Sequence, residues 1–283
     1  MKHYLLMMIG LLLPLMALGD GWTTDYPQIE RAIRQPQFAE KEYNITKFGA
    51  KTTATAAQNQ KAINKAIEKC SKKGGGKVIV PAGLWKTGAI TMQSGVNLVV
   101  EKDAVIEFVF EPELYPIVKT RWEGLDCWNL SPCIYAYGAT DIAITGEGTI
   151  DGGGTNETWW KWCGAPKYGW TEGTISQRNG ARANLLKMAE EGVPADERRF
   201  GPNDGLRPQL INFHTCDGVL IENVTLLRSP FWVIHPLLSK NITVRGVKIN
   251  NDGPNGDGCD PESCDGVLIE NCFFNTGDDC IAI

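Results

Sequence analysis

The sequence predicts an all-β fold of the β-helix type, a solenoid of short stacked strands capped at its N-terminal end by an α-helix. An internal repeat is the first observation. Cys216–Asn223 returns unchanged as Cys264–Asn271, and Ser239–Gly246 between them has a similar apolar pattern. These segments start 23 and 25 residues apart, which is a solenoid period, and no helix accompanies each unit. The second observation is a series of short Val- and Ile-rich segments bounded by Gly, Asp and Asn, which is typical of strands.

Residues 1–19 have the pattern of a secretory signal peptide. Lys2 and His3 precede an apolar run from Leu5 to Leu18, which ends in small residues at Gly19. The run is shorter than the ~20 residues that cross a bilayer, and no later segment is apolar enough to do so. We therefore expect cleavage after Gly19 and a secreted or periplasmic protein without a membrane span.

The start of the mature chain predicts a lead-in and a cap. Residues 20–42 are polar and mixed, which predicts an extended segment, and Tyr43–Ala50 then alternates like a strand that turns at Gly49. Between Gln58 and Lys73 the apolar residues recur at helical spacing, and they are Ala62, Ile63, Ala66, Ile67 and Cys70. This helix would cover the exposed strand edge of the first coil.

The β-helix is expected to occupy residues 43–283 as one domain. Its further strands are predicted at Lys77–Gly83, Val96–Val100, Val105–Phe108 and Ile142–Gly146. Coils stack at ~4.8 Å, so alternate residues point inward and form ladders of Val, Ile and Leu. Cys216 and Cys264 would lie two coils, or ~9.6 Å, apart, which excludes a disulfide between them.

Two unlike insertions interrupt the strands. Trp159–Cys163, followed by Tyr168 and Trp170, is an aromatic segment. These rings are suited to stacking on sugars beside a cleft, and the alternative is a loop that packs its own tryptophans. Ser176–Arg207 is polar and predicts a short helix around Ala181–Glu191. Both segments are predicted to lie outside the coils.

Charge and cysteine content limit the possible functions. The net charge of −5 argues against a nucleic-acid-binding protein, and an acidic polymer would need a local cluster of Lys and Arg. Nine cysteines in an exported chain allow disulfides and leave at least one thiol free. The candidates are Cys127 with Cys133, and pairs among Cys259, Cys264, Cys272 and Cys280. Several buried free thiols are the alternative. We expect a monomer.

An acidic cluster near residue 283 is the candidate active site. Asp257 lies 21 residues before Asp278, which Asp279 follows, and this spacing is about one coil. Stacking should therefore bring the three carboxylates together and raise the pKa of one of them. A carboxyl group of raised pKa beside an ordinary one supplies the acid and the base of glycosidic cleavage. Solvated turn residues and a calcium site are the alternatives, although residues 251–260 lack the spacing of an EF-hand loop.

These residues carry a family resemblance. Asn255-Gly256-Asp257 resembles the Asn-x-Asp motif of the polygalacturonase family, glycoside hydrolase family 28, and Gly277–Ile283 resembles its second motif. Ser229–Pro236, Tyr43–Ala50, the helix and Gly146–Gly152 are similar to bacterial members. The resemblance covers about residues 43–283. It implies a right-handed parallel β-helix and an inverting hydrolase that cleaves galacturonic-acid linkages of cell-wall pectin, with no cofactor or metal.

The resemblance also implies roles for individual residues. Asp278 would protonate the glycosidic oxygen, while Asp257 and Asp279 would hold and deprotonate the attacking water, with carboxyl groups ~6.5–9.5 Å apart. Asp260 is expected to be a turn or supporting carboxylate. The substrate-binding candidates are Asn255, Trp232, His235 and Arg228, with Arg207 and Lys248 as further cations. A packed structural role is the alternative for His235, and a solvated surface position is the alternative for the cations.

Two departures from the family pattern qualify this prediction. Gly256 replaces the family's Thr, which is expected to be harmless because that residue carries no proton. The family's later Gly-His-Gly and Arg-x-Lys motifs do not occur before Ile283. This predicts a C-terminally truncated chain with an incomplete catalytic domain that is not active alone. A calcium-dependent pectate lyase and a non-catalytic carbohydrate-binding β-helix are the alternative functions.

Overall fold

The computed structural model describes residues 21–283 and shows a parallel β-helix within them. Three parallel sheets run along the solenoid, and the chain visits them in turn in each coil. Their parallel connections follow the right-handed rule for crossovers between parallel strands. The first sheet consists of Glu42–Asn44, Gly76–Val80, Val96–Val100, Thr140–Gly146, Asp217–Glu222, Lys240–Arg245 and Asp265–Glu270.

The other two sheets complete each coil. The second consists of Gly83–Thr87, Ala104–Phe108, Thr149–Asp151, Thr225–Leu227, Lys248–Asn251 and Phe273–Thr276. The third consists of Ile90–Thr91, Ile134–Tyr137, Ile211–His214 and Ile234–Leu237, and single bridges from Ile234 to Cys259 and from Cys259 to Ile281 extend it. The predicted β-helix is confirmed, as are the strands predicted at Lys77–Gly83, Val96–Val100, Val105–Phe108 and Ile142–Gly146, with small differences at their ends.

Inward ladders of β-branched side chains form the core. Val219 pairs in register with Ile242, which pairs with Val267 on the next coil. Val219 and Ile242 are fully buried. The identical octapeptides thus occupy equivalent strands two coils apart, as the repeat predicted, because alternation along each strand sends the same positions inward.

The predicted cap helix spans Ala56–Lys72. It begins two residues earlier than predicted because the Thr55 side chain accepts a hydrogen bond from the Gln58 backbone, while the Gln58 side chain accepts one from the Thr55 backbone. The apolar face of this helix packs on the first coils, and Ile63, Ala66 and Ile67 are fully buried.

The lead-in and the loops differ in part from expectation. Residues 20–42 were predicted to be extended, but Tyr26–Ala32 is an α-helix with Pro27 in its first turn. The strand predicted at Tyr43–Ala50 gives way to a 3-10 helix at Ile45–Phe48, because the Asn44 side chain accepts the Thr46 N–H. An antiparallel hairpin, which was not predicted, is formed by Ile117–Trp122 and Leu125–Leu130.

The insertions contain short helical segments. The predicted helix is present at Ala181–Glu190, and 3-10 turns occupy Pro112–Leu114, Trp159–Cys163, Pro166–Tyr168 and Ala195–Glu197. No helix within residues 21–283 is long and apolar enough to cross a membrane. The predicted signal peptide at 1–19 lies outside the described residues, and the proposed domain limits stay predictions.

The nine cysteines all lie within the described residues, and all are free thiols. The disulfides considered for Cys127 with Cys133 and within the C-terminal group are therefore wrong. The alternative of several buried free thiols holds for six of them, whereas Cys264 and Cys272 are partly buried and Cys280 is exposed. Cys216 and Cys264 are unbonded, as their separation by two coils predicted.

Candidate active site

Stacking of two coils brings the predicted aspartates together. The Gly258 N–H donates to the Asp279 carbonyl at 2.9 Å, and Cys259 bridges to Ile281 in parallel register. In this register Asp257 lies level with Asp279 on the next coil, and Asp278 precedes that position by one residue. One carboxylate oxygen from each of Asp257, Asp278 and Asp279 lies within 4.8 Å of the other two.

The three carboxylates have unequal environments. Asp257 is only 8% exposed, whereas Asp278 and Asp279 are exposed. Burial raises the pKa of Asp257 to about 6, and the charges of the other two aspartates add to this shift. Among residues 21–283, its Oδ1 has no hydrogen-bond partner. The cluster therefore combines a buried carboxyl of raised pKa with two exposed carboxyls.

The turn before Asp257 requires its glycine. Asn255 adopts a left-handed conformation with φ of 51°. A Cβ placed on Gly256 would collide with the side-chain amide of Asn251 and approach the Gly253 carbonyl at 2.8 Å. Threonine would not fit here without a shift, so Gly256 is part of the local packing and is more than a harmless replacement.

Arg207 supports this turn from beneath. Its guanidinium is fully buried and donates to the carbonyls of Pro230 and Pro254 at 3.0 and 2.7 Å. It also donates to Asn255 Oδ1 at 2.6 Å and twice to Gln177 Oε1 at 3.1 and 3.2 Å. Burial lowers the pKa of Arg207 to about 10, which still leaves the group charged at neutral pH. The expectation that Arg207 contacts uronate directly is wrong, since no substrate can reach it.

Trp232 lies close to the cluster. The Val233 N–H donates to the Asp257 carbonyl at 2.8 Å, so Trp232 occupies the position next to Asp257 on the preceding coil. Its ring is partly exposed and stacks on Phe231 with centroids 5.0 Å apart. Trp232 and Asn255 therefore remain candidates for substrate contact.

His235 is fully buried within a hydrogen-bond network. Its Nδ1 lies 3.1 Å from Asn212 Nδ2, and its Nε2 lies 3.0 Å from Glu262 Oε2. Burial alone would raise the pKa of Glu262, but hydrogen bonds from His235 and Arg121 outweigh it and lower that pKa. These contacts favour the structural role of His235 over the predicted contact with substrate.

Arg228 and Lys248 are not drawn into the cluster. The Arg228 guanidinium is bonded to both oxygens of Asp151, with its Nη2 2.5 Å from Oδ2. This pairing raises the pKa of Arg228 and compensates its charge. Lys248 is exposed on the second sheet. The structure therefore gives Arg228 an ion-pair role with Asp151.

The tryptophan insertion packs on itself and on neighbouring aromatic rings. Trp159 and Trp162 are buried and meet edge to face at 5.2 Å, and Phe110 packs against both. The Trp160 Nε1–H donates to the Ser229 carbonyl at 2.9 Å. These rings follow the self-packing alternative, and sugar stacking on them is not supported.

A cleft of about 400 Å³ adjoins Asp278. Both insertions and the turns that carry the acidic cluster line it, including Lys167, Tyr168, Gln177, Arg178, Arg182, Pro254 and Asn255. The loops predicted to lie outside the coils thus form a wall beside the aspartates. Sequence reasoning did not identify Lys167, Arg178 or Arg182, because nothing in the local pattern distinguishes them from solvated cations.

Asp260 is a fourth carboxylate of the site region. It is 5% exposed, and neither of its oxygens has a hydrogen-bond partner among residues 21–283. Burial, and then the charge of Asp257, raise the pKa of Asp260 to about 8. The sequence predicted a turn or supporting carboxylate, and its position three residues after Asp257 was the available signal.

The cluster also has the spacing of a cation site. Three carboxylate oxygens within 4.8 Å of one another can bind one ion together. Calcium takes 6–8 oxygen ligands, so these three residues would supply only part of its shell. The same cluster combines carboxyls in unlike environments, which is the arrangement that acid–base chemistry uses.

The fold and this cluster define a class, parallel β-helix proteins with a carboxylate site at stacked coils. The family model of glycosyl hydrolases family 28 matches residues 202–283. A probable polygalacturonase of Vitis vinifera is 31% identical over 236 residues, which cover 80% of this chain and 40% of the relative. With these similarities, the chain belongs to glycosyl hydrolases family 28.

Solved structures agree with this assignment. The hyperthermoactive exopolygalacturonase of Thermotoga maritima is 43% identical with a TM-score of 0.85, covering 90% of this chain and 58% of that one. The family 28 exopolygalacturonase of Yersinia enterocolitica is 25% identical with a TM-score of 0.63, covering 86% and 45%. The chain thus spans less than two thirds of the length of each of these proteins.

Proposed function

We propose that the protein carrying this chain is a glycoside hydrolase that cleaves galacturonic-acid linkages of pectin. The observation that carries the proposal is the meeting of Asp257, Asp278 and Asp279 at two stacked coils, with oxygens within 4.8 Å and one carboxyl of raised pKa. Membership of family 28 and similarity to polygalacturonases support the choice of substrate.

The proposed roles follow from exposure. Asp278 is exposed and lines the cleft, which supports it as the group that would protonate the glycosidic oxygen of a bound chain. Asp257 and Asp279 stand level on neighbouring coils and would hold the attacking water between them. Asp257 in its ionised form would then accept the proton of that water. The carboxyl of raised pKa is thus the proposed base, whereas the sequence led us to expect the raised pKa on the acid.

The carboxylate spacing bears on stereochemistry. The closest oxygens are nearer than the ~6.5–9.5 Å expected between the carboxyl groups of an inverting pair. One water that donates two hydrogen bonds of ~2.8 Å bridges oxygens about 4.5 Å apart. That separation lies within the 4.8 Å limit that the three carboxylate oxygens satisfy. We therefore propose inversion with the water held by both aspartates. NMR of the first product anomer tests this, and retention of configuration would refute it.

Asp278→Asn tests the acid assignment in the intact protein. We expect loss of reducing-end release from polygalacturonate by 10²-fold or more, as is typical when a general acid is removed. Hydrolysis that continues undiminished would refute the assignment. A calcium-dependent lyase would instead release unsaturated, ultraviolet-absorbing products and lose activity with EDTA. A binding protein would retain polygalacturonate without releasing either product.

Export and oligomeric state belong to the same proposal. The pattern of residues 1–19 supports secretion or export to a periplasm, where polymeric pectin would be reached. Sequencing the N-terminus of the exported protein should place the first residue at Asp20. We propose a monomer, for which light scattering of the purified protein is the measurement.

A further inference from the structure

The cleft beside Asp278 contains a group of cations. Lys167 from the first insertion and Arg178 and Arg182 from the second line it together with Asp278. The chain as a whole is acidic, with a net charge of −5, so this group does not reflect general basicity. Two carboxylates, Glu123 and Asp278, also line the cleft. A concave site with more cations than carboxylates is suited to an anionic ligand.

Two of these charges are uncompensated. Arg182 Nε donates to Glu123 Oε2 at 2.6 Å, so its charge is already paired. Within residues 21–283, neither Lys167 nor Arg178 has a carboxylate partner within 4.0 Å. Two unpaired cations in one cleft repel each other unless an anion binds between them.

The segment that carries Arg178 is held in place from several sides. The Gln177 N–H donates to the Trp162 carbonyl at 2.8 Å, and the Gln177 side-chain oxygen accepts hydrogen bonds from the buried Arg207 guanidinium. The Asn179 side chain donates to the Thr174 carbonyl at 2.7 Å. The aliphatic part of Arg178 lies against Gly164, where a Cβ would approach it at 3.0 Å. The arginine is thus presented by a turn that is already organised before a ligand arrives.

Lys167 is positioned by an aromatic contact. Its Nζ lies 4.6 Å from the centroid of the Tyr168 ring, which also lines the cleft. A cation over an aromatic face keeps its charge while the flexible stem is restrained. Lys167 and Arg178 therefore face the same cleft from different insertions, and both are ready for a carboxylate.

We infer that this cleft binds the carboxylate of the terminal uronic-acid sugar of the substrate, with Arg178 and Lys167 as its ligands. The inference rests on the galacturonan substrate proposed above and assigns the residues that select the free acid. Residues of both insertions line the cleft beside Asp278, and its volume of about 400 Å³ is typical of small-ligand pockets. A site of this size suits a single terminal sugar.

The test compares charged and neutral substrate in the intact protein. The measured quantity is the ratio of kcat/KM for trigalacturonate to kcat/KM for its methyl ester, which lacks the carboxylate charges. Arg178→Gln should lower this ratio about 10- to 100-fold, since a hydrogen bond to a charged group is lost. Lys167→Gln should lower it by a smaller factor, because an ammonium binds a carboxylate less specifically.

Lys187→Gln is the matched control. Lys187 lies in the same insertion as Arg178, but it is exposed, pairs with Glu191 at 3.8 Å and does not line the cleft. Its ratio should equal that of the unmodified protein. Because a ratio cancels general losses of folded protein, an unchanged ratio in Arg178→Gln would overturn the inference even where total activity falls.

Binding separates this inference from the proposed function. Calorimetric titration of trigalacturonate into Asp278→Asn should show binding, which Arg178→Gln in the same background weakens at least tenfold. If the unmodified protein binds trigalacturonate but does not hydrolyse it, the proposed function fails while the carboxylate site stands. If Asp278→Asn and its Arg178→Gln derivative bind equally, the carboxylate site fails.

Discussion

Replacing Arg207 by methionine should destabilise the protein strongly, although no substrate reaches this residue. Methionine is unbranched and apolar, so it fills much of the arginine stem's volume and removes the charge and all five hydrogen bonds. The carbonyls of Pro230 and Pro254, with the side-chain oxygens of Gln177 and Asn255, would lose their donor. These four acceptors connect the second insertion to the turn before Asp257.

The magnitude follows from the acceptors left behind. An unsatisfied buried polar group costs ~1–3 kcal/mol, so four acceptors at the lower limit give about 4 kcal/mol. This agrees with the ~3–5 kcal/mol typical of removing one partner from a buried charged network. For a domain of this size, ~2–4 °C of Tm per kcal/mol converts the loss to a decrease of about 8–16 °C.

Differential scanning calorimetry at neutral pH measures this change without any need for catalysis. Arg245→Met is the matched control, because Arg245 is 37% exposed and pairs with Glu222 and Glu270 on the solenoid surface. Exposed pairs contribute ~0–1 kcal/mol, so the control should change Tm by at most about 4 °C. Equal decreases in Tm for the two variants would refute the conclusion that the buried hydrogen bonds of Arg207 stabilise the turn before Asp257.

Two further predictions concern pH. Since Asp257 must be ionised to accept a proton and burial raises its pKa to about 6, kcat/KM should rise with pH through about 6. Arg207→Met should move the midpoint of this rise to higher pH, because a positive charge that lowers the pKa of Asp257 is lost. In the unmodified protein, a midpoint near the ordinary pKa of ~4 would contradict the assignment of Asp257 as the base. Asp260 has a folded pKa of about 8 against ~3.9 unfolded, so its favourable contribution is complete below pH ~4 and is lost as pH rises towards about 8. Asp260→Asn should therefore raise the free energy of unfolding at pH 7 by up to ~4 kcal/mol and change it little at pH 4. Urea unfolding at both pH values measures this difference. Equal effects at the two pH values would show that Asp260 does not have the raised pKa.

Patterns within one coil were readable from the amino-acid sequence. The repeated octapeptide predicted the strands at Asp217–Glu222 and Asp265–Glu270, because strand side chains alternate with a period of two and a solenoid repeats that alternation. The same period predicted that Asp257 and Asp278 would meet. Both inferences need only the length of a coil, which is a local property of the chain.

Local signals that compete with the repeat were harder to interpret. The segment 20–42 lacks apolar periodicity, yet Tyr26–Ala32 is helical. Asn44 looked like part of a strand, but its side chain ends that strand by accepting the Thr46 N–H. In both places one or two contacts decide the conformation, and the average pattern of the segment does not reveal them.

The sequence by itself determined the solenoid, its capping helix and the meeting of the aspartates, because each depends on periodicity and stacking. Only the tertiary structure decided the environment of each cation near the acidic cluster. Arg207 is buried beneath the turn that precedes Asp257, Arg228 is paired with Asp151, and Arg178 lines the cleft. These three arginines are alike in sequence. Their roles differ because the insertions fold back on the coils, and that folding sets which charges are desolvated, compensated or left for a ligand.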